Sequence, residues 1–595
     1  MKIENPHKAI TRFFLLIAFT TSIFTFNLSA YDLKNQASAC EGADCNKKQS
    51  GDLGLLVIAP DRGYAGNQKV RSAFQVLDKK RNAELLFITD ERMRPYLKTA
   101  LFNLKSKQAK RIIILPLFFS ASHPRLTLFR TMLKEENTQD DITYARPFGG
   151  SYLAVELLVD RLRNSNIGDN SIIIAGHGAS SDDVEKLMLR DLNRIAEQAM
   201  KDIGENKLQV IIWPDGKDRK KIKTQEKAKW DLVKKIDDNQ DKDKHDWQIV
   251  PFHMGKELDG MMSFDNGLRR SKPKEVKLED FPDNESEFFS LWMQREANRY
   301  SSANDATSGI VFNAHGSDFH WNQTMRDAVA KLTQEIPVEF AFSMADSDDL
   351  RSAVKRLEDR GVGIITIVRV FGMRTSFRHS VERLIGMDID APELCQQDEG
   401  SSHSYGSPPK RLRTTALVVT EGGLADSPLF AQALFDRASK LTTNKGKDTV
   451  IVVAHGKGRD DANQQWLKVL ESLTNQIKKM SNGEFKDVLY QTWREDWEDK
   501  RGTRIDSVKK MVEKANKEGG TAIIIPARTT GEGPTKRFLG EVKDDMKYIA
   551  GKGFAPHPLF PKWIKQQMKR GLETVEQTRH VWYPALLKQT KEARK

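Results

Sequence analysis

Three histidines occupy the same point of a repeated pattern. His177, His315 and His455 are each followed by glycine and preceded by a short apolar run, in SIIIAGHGAS (171–180), SGIVFNAHGS (308–317) and DTVIVVAHGK (448–457). The intervals are 138 residues from the first to the second and 140 from the second to the third. Neutral imidazole binds divalent Fe, Co and Ni ions and titrates near neutral pH, so histidines repeated at one position are suited to holding a metal or taking up a proton. A fourth run, GLLVIAPDRG (54–63), has the same build but carries Pro60 in place of the histidine. His123 closes the segment LPLFFSASH (115–123), in a polar loop rather than a core. No G-x-S-x-G elbow, Walker A segment or Arg-His-Gly occurs, which argues against an esterase, a P-loop nucleotidase and a phosphohistidine phosphatase.

The elements that must present these histidines follow from the same runs. Four to six β-formers, a glycine turn and a helical period read as strand, turn and helix, the opening of a parallel βαβ unit. In such sheets ligands bind beyond the carboxyl ends of the strands, where the repeated histidines sit. The predicted class is α/β, with four parallel-sheet lobes in two modules. LLVDRL (157–162) and ALFDRA (433–438) each precede a His-Gly strand, with Asp160 and Asp436 276 residues apart and His177 and His455 278 apart. The expected divisions are a signal over 1–30, a polar tail over 31–52, a first lobe over 53–168, a degenerate second lobe over 169–265 and a connector over 266–305. The third and fourth lobes then cover 306–445 and 446–595.

The 595-residue chain is 39% hydrophobic and 30% charged, which describes a globular protein with many solvated helix faces. Lys8 and Arg12, the apolar stretch FFLLIAFTTSIFTF and Leu28-Ser29-Ala30 have the layout of a cleaved export signal, and the stretch is short for a membrane span. Residues 1–30 therefore predict an exported, periplasmic protein without a stable membrane span. Only three cysteines occur; Cys40 and Cys45 are free to pair in an oxidising compartment or to remain tail thiols, and Cys395 has no near partner. The net charge of +13 includes the basic run GKDRKKIKTQEKAK (216–229). That run lacks interleaved aromatics for stacking on bases, so nucleic acid is not the expected partner, whereas a polycarboxylated small molecule would suit a basic surface.

A strand ending in AHGS, LPLFFSASH, a YARPFGG-like strand and an ELLVDRL helix together resemble the sirohydrochlorin cobaltochelatase and ferrochelatase family, the type II chelatases. The resemblance is best over 53–180 and fair over 308–460. It implies flavodoxin-like lobes paired around a tetrapyrrole, with a divalent metal as substrate (Co2+ or Fe2+, with Ni2+ as a further option) and no organic cofactor. In that family one histidine ends the first strand of a lobe and another follows the third; the pair holds the metal and accepts pyrrole protons. On that pattern the first lobe keeps His123 but has Pro60 at the first position. The third keeps His315, while the slot matching His123 falls at Ser376, three residues before His379. No lobe is expected to carry the full pair.

His123 and His315 are thus the expected catalytic residues, His320 lying five residues past the latter. His123, His315, His177 and His455 are the expected metal ligands, although His177 and His455 also fit a structural role at a strand end. Arg125, Arg374 and Arg378 are candidates for receiving ring carboxylates. His253 and His557, beside proline and aromatic residues, read as packing, and His245, His403 and His580 as surface. Two functions remain open on the sequence: metal insertion into a tetrapyrrole, or a periplasmic metal- or tetrapyrrole-binding protein that kept the fold without turnover. An inactive scaffold is a third, and the oligomeric state is open.

Overall fold

The structure, a computed structural model, describes residues 52–580 apart from 137–140, 166–170, 204–207, 217, 239–246, 258–262, 275, 279–283, 302–306, 387–410 and 541–546. The expected signal, Cys40, Cys45, Cys395, His245 and His403 lie outside the described residues.

Four parallel sheets follow one another along the chain, each of four strands in the order second, first, third, fourth. The first sheet contains β1 (Leu53–Pro60), β2 (Ala83–Ile88), β3 (Arg111–Pro116) and β4 (Asp141–Tyr144). The second contains β5 (Ser171–Ala179), β6 (Leu208–Pro214), β7 (Trp247–Pro251) and β8 (Lys277–Leu278). The third contains β9 (Ser308–Ala314), β10 (Val338–Phe342), β11 (Ile364–Val370) and β12 (Leu417–Gly422). The fourth contains β13 (Thr449–Ala454), β14 (Asp487–Thr492), β15 (Ala522–Pro526) and β16 (Tyr548–Ala550).

Every residue of β7, β9, β11, β13 and β15 is buried. A parallel sheet needs such unbroken apolar runs because helices cover both of its faces. The basic run past β6 forms helix Arg219–Asp238, which tucks Trp230 and Val233 under the sheet and leaves Lys220, Lys221, Lys223 and Lys227 exposed. The edge strands β8 and β16 have only two and three residues, too short to leave a periodic signal.

The lobes of each module are held together by exchanged helices. Helix Tyr152–Asn164 follows β4 but packs on helix Asp182–Ile203 of the second lobe. Helix Glu285–Tyr300 follows β8 and crosses back to helix Gly63–Lys80 and β3 of the first. The second module repeats the exchange: helix Pro428–Leu441 packs on helix Asp460–Ser481, and helix Leu559–His580 lies on β11 and β12. The repeated LLVDRL and ALFDRA segments are these exchanged helices. One hydrophobic core therefore spans both lobes of the first module, from Leu55 to Tyr300, and another both lobes of the second, from Ile310 to Met568. Burying a large apolar side chain contributes roughly 1.5–3 kcal/mol, so these cores fix the angle of each cleft as well as each lobe.

Charge joins the two modules. Arg411 forms ion pairs with Glu156 at 3.0 Å and Asp202 at 2.6 Å, Arg383 pairs with Asp202 and Arg413 with Asp160. The Tyr152 hydroxyl donates to the carbonyl of Leu412, and the Asn298 amide donates to the carbonyl of Thr415 at 2.9 Å. Among the described residues no helix is long and apolar enough to cross a membrane.

Candidate functional site

In the second sheet the strand order turns about at β5 and β7, the switch point where open α/β sheets bind ligands. His177 lies two residues before the end of β5 and His253 stands two residues past β7. Their ring centroids are 6.2 Å apart, and Phe264 packs 4.4 Å from each. The second lobe thus brings two histidines near one another at its switch point, His253 among them although its surroundings in the sequence read as packing. Its signal was displaced: His253 follows its strand by two residues, whereas His123 follows β3 by seven.

His123 reaches the same place from the first lobe. It caps helix Pro124–Glu135, and its loop is tied to the second lobe where the Ser120 hydroxyl donates to Asp191 at 2.6 Å. A Cβ at Gly178 would lie 2.7 Å from His123 Nε2, and φ there is +119°, so the close approach needs glycine twice over. Gly255 separates the other two imidazoles: a Cβ there would sit 2.8 Å from His253 Nδ1 and 3.3 Å from His177 Nδ1. His123, His177, Asp215, Arg125, Lys256 and Phe264 are among the residues around a cavity of about 160 Å3. Arg125 bridges the lobes, donating to the Asp61 carbonyl at 2.8 Å and to Asp215 at 3.2 Å.

The three imidazoles differ in what they can offer. His253 Nδ1 accepts from the Gly255 N–H at 2.8 Å, and its Nε2 lies 2.8 Å from the Asp265 carboxylate, so both nitrogens are engaged. His123 Nδ1 accepts from the Arg125 N–H at 3.2 Å, which leaves an Nε2–H on the neutral ring, beside Gly178. His177 makes no hydrogen bond with the described residues, and its ring borders the cavity. It is the imidazole with a lone pair to give.

Electrostatics keep all three rings neutral at physiological pH. Burial, then the Arg125 guanidinium and His177, hold His123 down at about 3. Burial also lowers His177 to about 4, opposed by Asp215. His253 is lowered by burial against the pull of Asp265. Burial raises the Asp265 carboxyl, but His253, Arg161 and Arg62 together outweigh it and hold the group at about 2.

The second module is built differently. His315 is exposed at the end of β9, with Nδ1 2.5 Å from the Gly316 carbonyl, and His320 is exposed beside it. His455 directs Nδ1 to the Gly456 carbonyl at 3.0 Å and Nε2 to Asp496 at 2.9 Å. Where the first lobe has the His123 loop, the buried Arg369 donates to the carbonyls of Arg374 at 2.8 Å and Ser376 at 2.7 Å. Gly372 of that loop packs against Trp466, a Cβ falling 2.4 Å from the indole. Arg378 pairs with Glu382 at 2.8 Å, Arg374 lies 3.8 Å from Glu421, and His379 is 3.8 Å from Glu382. None of these residues borders the cavity that His123 shares with His177. A larger groove of about 830 Å3, between helix Ser347–Asp359 and residues 411–414, has no histidine in its lining. Among the described residues no group of three or more His, Cys, Asp or Glu side chains is set to hold a metal ion.

Fold and site define an α/β protein of two bilobal modules, with imidazoles from both lobes of the first meeting at a switch point. Residues 62–165 match the family model CbiX, the sirohydrochlorin chelatase family, and the four parallel sheets are consistent with a tandem of chelatase-like modules. The matched stretch contains His123 and Arg125 and ends before His177 and His253. In general terms it supports chelatase-like metal insertion into a tetrapyrrole. No curated protein and no solved structure matches the chain.

Proposed function

We propose that the first module inserts a divalent metal, Co2+ or Fe2+, into a sirohydrochlorin-type tetrapyrrole, with His177 as the receiving imidazole. The observation that carries this reading is the unbonded ring of His177, facing a cavity shared with His123 and Asp215. For each M2+ that enters the macrocycle two pyrrole N–H protons leave, so the site must supply a ligand and a proton acceptor. His177, neutral at pH 7, offers a lone pair for the first task and takes a proton once the metal has passed to the ring. Asp215 places a carboxylate beside it for the second proton, and His123 lines the same cavity. His253 and Asp265 buttress His177 through Phe264 and Gly255.

The cavity of about 160 Å3 is smaller than the roughly 300–1,000 Å3 of pockets that enclose drug-sized ligands. It suits an ion and its waters; the macrocycle lies over the mouth, within reach of the exposed Lys256. Arg125 is committed to Asp61 and Asp215 and orders the site. Arg374 and Arg378 belong to the second module, as do His315 and His455, and have no part in this site. The layout of residues 1–30 supports an exported, periplasmic setting.

The test is a visible-absorbance time course with sirohydrochlorin and Co2+ or Fe2+ under anaerobic conditions, against a blank without protein. A protein-dependent rate well above the blank, lost in His177→Ala and kept in His315→Ala, is expected. A spectral shift without acceleration would leave a carrier of the ring or metal instead.

A further inference from the structure

The loop that carries His253 is gripped at both ends by buried charge. Arg161 Nη1 donates to the Pro251 carbonyl at 2.6 Å, ahead of the histidine. Beyond it, Glu257 forms an ion pair with Arg62, and the Glu257 N–H donates to the Arg62 carbonyl at 2.6 Å. Both arginines converge on one carboxylate: Arg161 pairs with Glu285 Oε1 and Arg62 lies 3.0 Å from Oε2. Arg62 is fully buried, and Arg161 and Glu285 nearly so. The two guanidinium groups lie 5.9 Å from the Phe289 ring and 5.5 Å from the Phe252 ring.

Glu285 opens the exchanged helix Glu285–Tyr300, and the residue before it is linked to the second module through Asp160. The Asn284 amide donates to Asp160 Oδ2 at 3.2 Å, while Asp160 Oδ1 takes an ion pair from Arg413. The Arg413 guanidinium also lies 4.8 Å from the ring of Phe288, one turn along the same helix. A path thus runs from Arg413 through Asp160 to the Asn284 amide, along the backbone to the adjacent Glu285, and from there through Arg62 and Arg161 to both ends of the His253 loop.

We propose that the second module serves the first as an in-chain partner, Arg413 acting through Asp160 and Glu285 to position the His253 loop. The proposal rests on the first module being the working site, and it gives the second, whose own histidines stay apart from that cavity, a function. Arg413, Asp160 and Glu285 are positioning residues, since none touches the cavity. A buried ion pair that loses one partner leaves an uncompensated charge, and the neighbouring elements shift to resolve it. Here the shift would move Gly255, which separates the His253 and His177 rings.

The test compares Glu285→Gln, Arg413→Ala and the double variant in the full chain, with the milder Asn284→Ala held in reserve should one fail to fold. Hydrogen exchange of the amides from 252 to 257 is read together with kcat and KM. Each single variant is expected to speed exchange in that segment at least tenfold and to lower kcat about tenfold with KM little changed. The double variant is expected to be no worse than Glu285→Gln alone, because both changes act along one chain. Arg356→Ala, which breaks an exposed pair with Glu339 in the second module, should change neither reading. Wild-type protection of 252–257 in Arg413→Ala, or additive effects in the double variant, would overturn the proposal. The exchange readout stands even if the chain has no chelatase turnover, so the two readings fail separately.

Discussion

At the scale of single residues, the site is an assignment of lone pairs. Three histidines meet, yet hydrogen bonding commits His253 entirely and His123 in part, leaving His177 able to bind and release. Losing a positioned acid or base typically costs 10²–10⁴ in rate. His177→Ala should therefore lower kcat at least a hundredfold and His123→Ala about tenfold, with His315→Ala within a factor of two of the parent, all read in the metal-insertion assay. The same residues set a pH dependence of stability. Their folded pKa values, about 3 for His123 and about 4 for His177, lie below the unfolded value near 6.5. Between those limits the unfolded chain binds more protons, so stability is full above about pH 6.5 and falls with acidification. At pH 5 His123 alone should cost roughly 2 kcal/mol, and His177, partly exposed to the cavity, less. Urea midpoints at pH 7 and pH 5 check this, and His123→Gln should flatten the difference.

At the scale of elements, glycine and the exchanged helices decide whether the histidines meet. A Cβ at Gly178 would fall 2.7 Å from His123 Nε2, in a backbone conformation that side chains avoid. Gly178→Ala should cost about 1–3 kcal/mol, read as a shift in the urea midpoint, and should lower turnover because His123 must withdraw from the cleft. An unchanged midpoint with full turnover would show that the two loops do not touch. The helices after the fourth strands of the first and third sheets were legible as helices, and even as a repeat, from LLVDRL and ALFDRA. Their crossing to the neighbouring lobe was not, because an apolar stripe says that a helix is buried without saying against which sheet. Helix Glu285–Tyr300 shows this best: its segment read as an irregular connector, yet Phe288, Phe289, Trp292 and Met293 are fully buried in the shared core.

At the scale of the whole molecule, the two modules are bound by a cluster of the buried Arg383 and Arg411 and the half-buried Arg413 against Glu156, Asp160 and Asp202. Removing one partner from such a cluster typically costs about 3–5 kcal/mol. Arg411→Ala, which takes the 3.0 Å ion pair from Glu156 and leaves Asp202 with Arg383, should lower the unfolding free energy by that amount, measured by chemical denaturation; a loss below about 1 kcal/mol would mean that the cluster is solvated. The modules have the same topology and different histidine sites. Arg369 and Trp466 fill the second module where loop and cleft would face each other, while Gly178 and Gly255 keep the first open to imidazole.

The sequence by itself determined the α/β class, the four lobes and the two-module period. Those depend on local runs of β-formers, on turns and on helical spacing, all written within a few tens of residues. It also marked His123 and His177 and the family resemblance of the first lobe. The tertiary structure alone decided that His123 stands beside His177 and apart from His315, and that His253 packs near them. It decided too that Arg374 and Arg378 stand apart from the site. These are matters of which strand ends face one another across a cleft. That depends on the crossing of two helices and on clearances of a few tenths of an ångström at glycine, which no local pattern records.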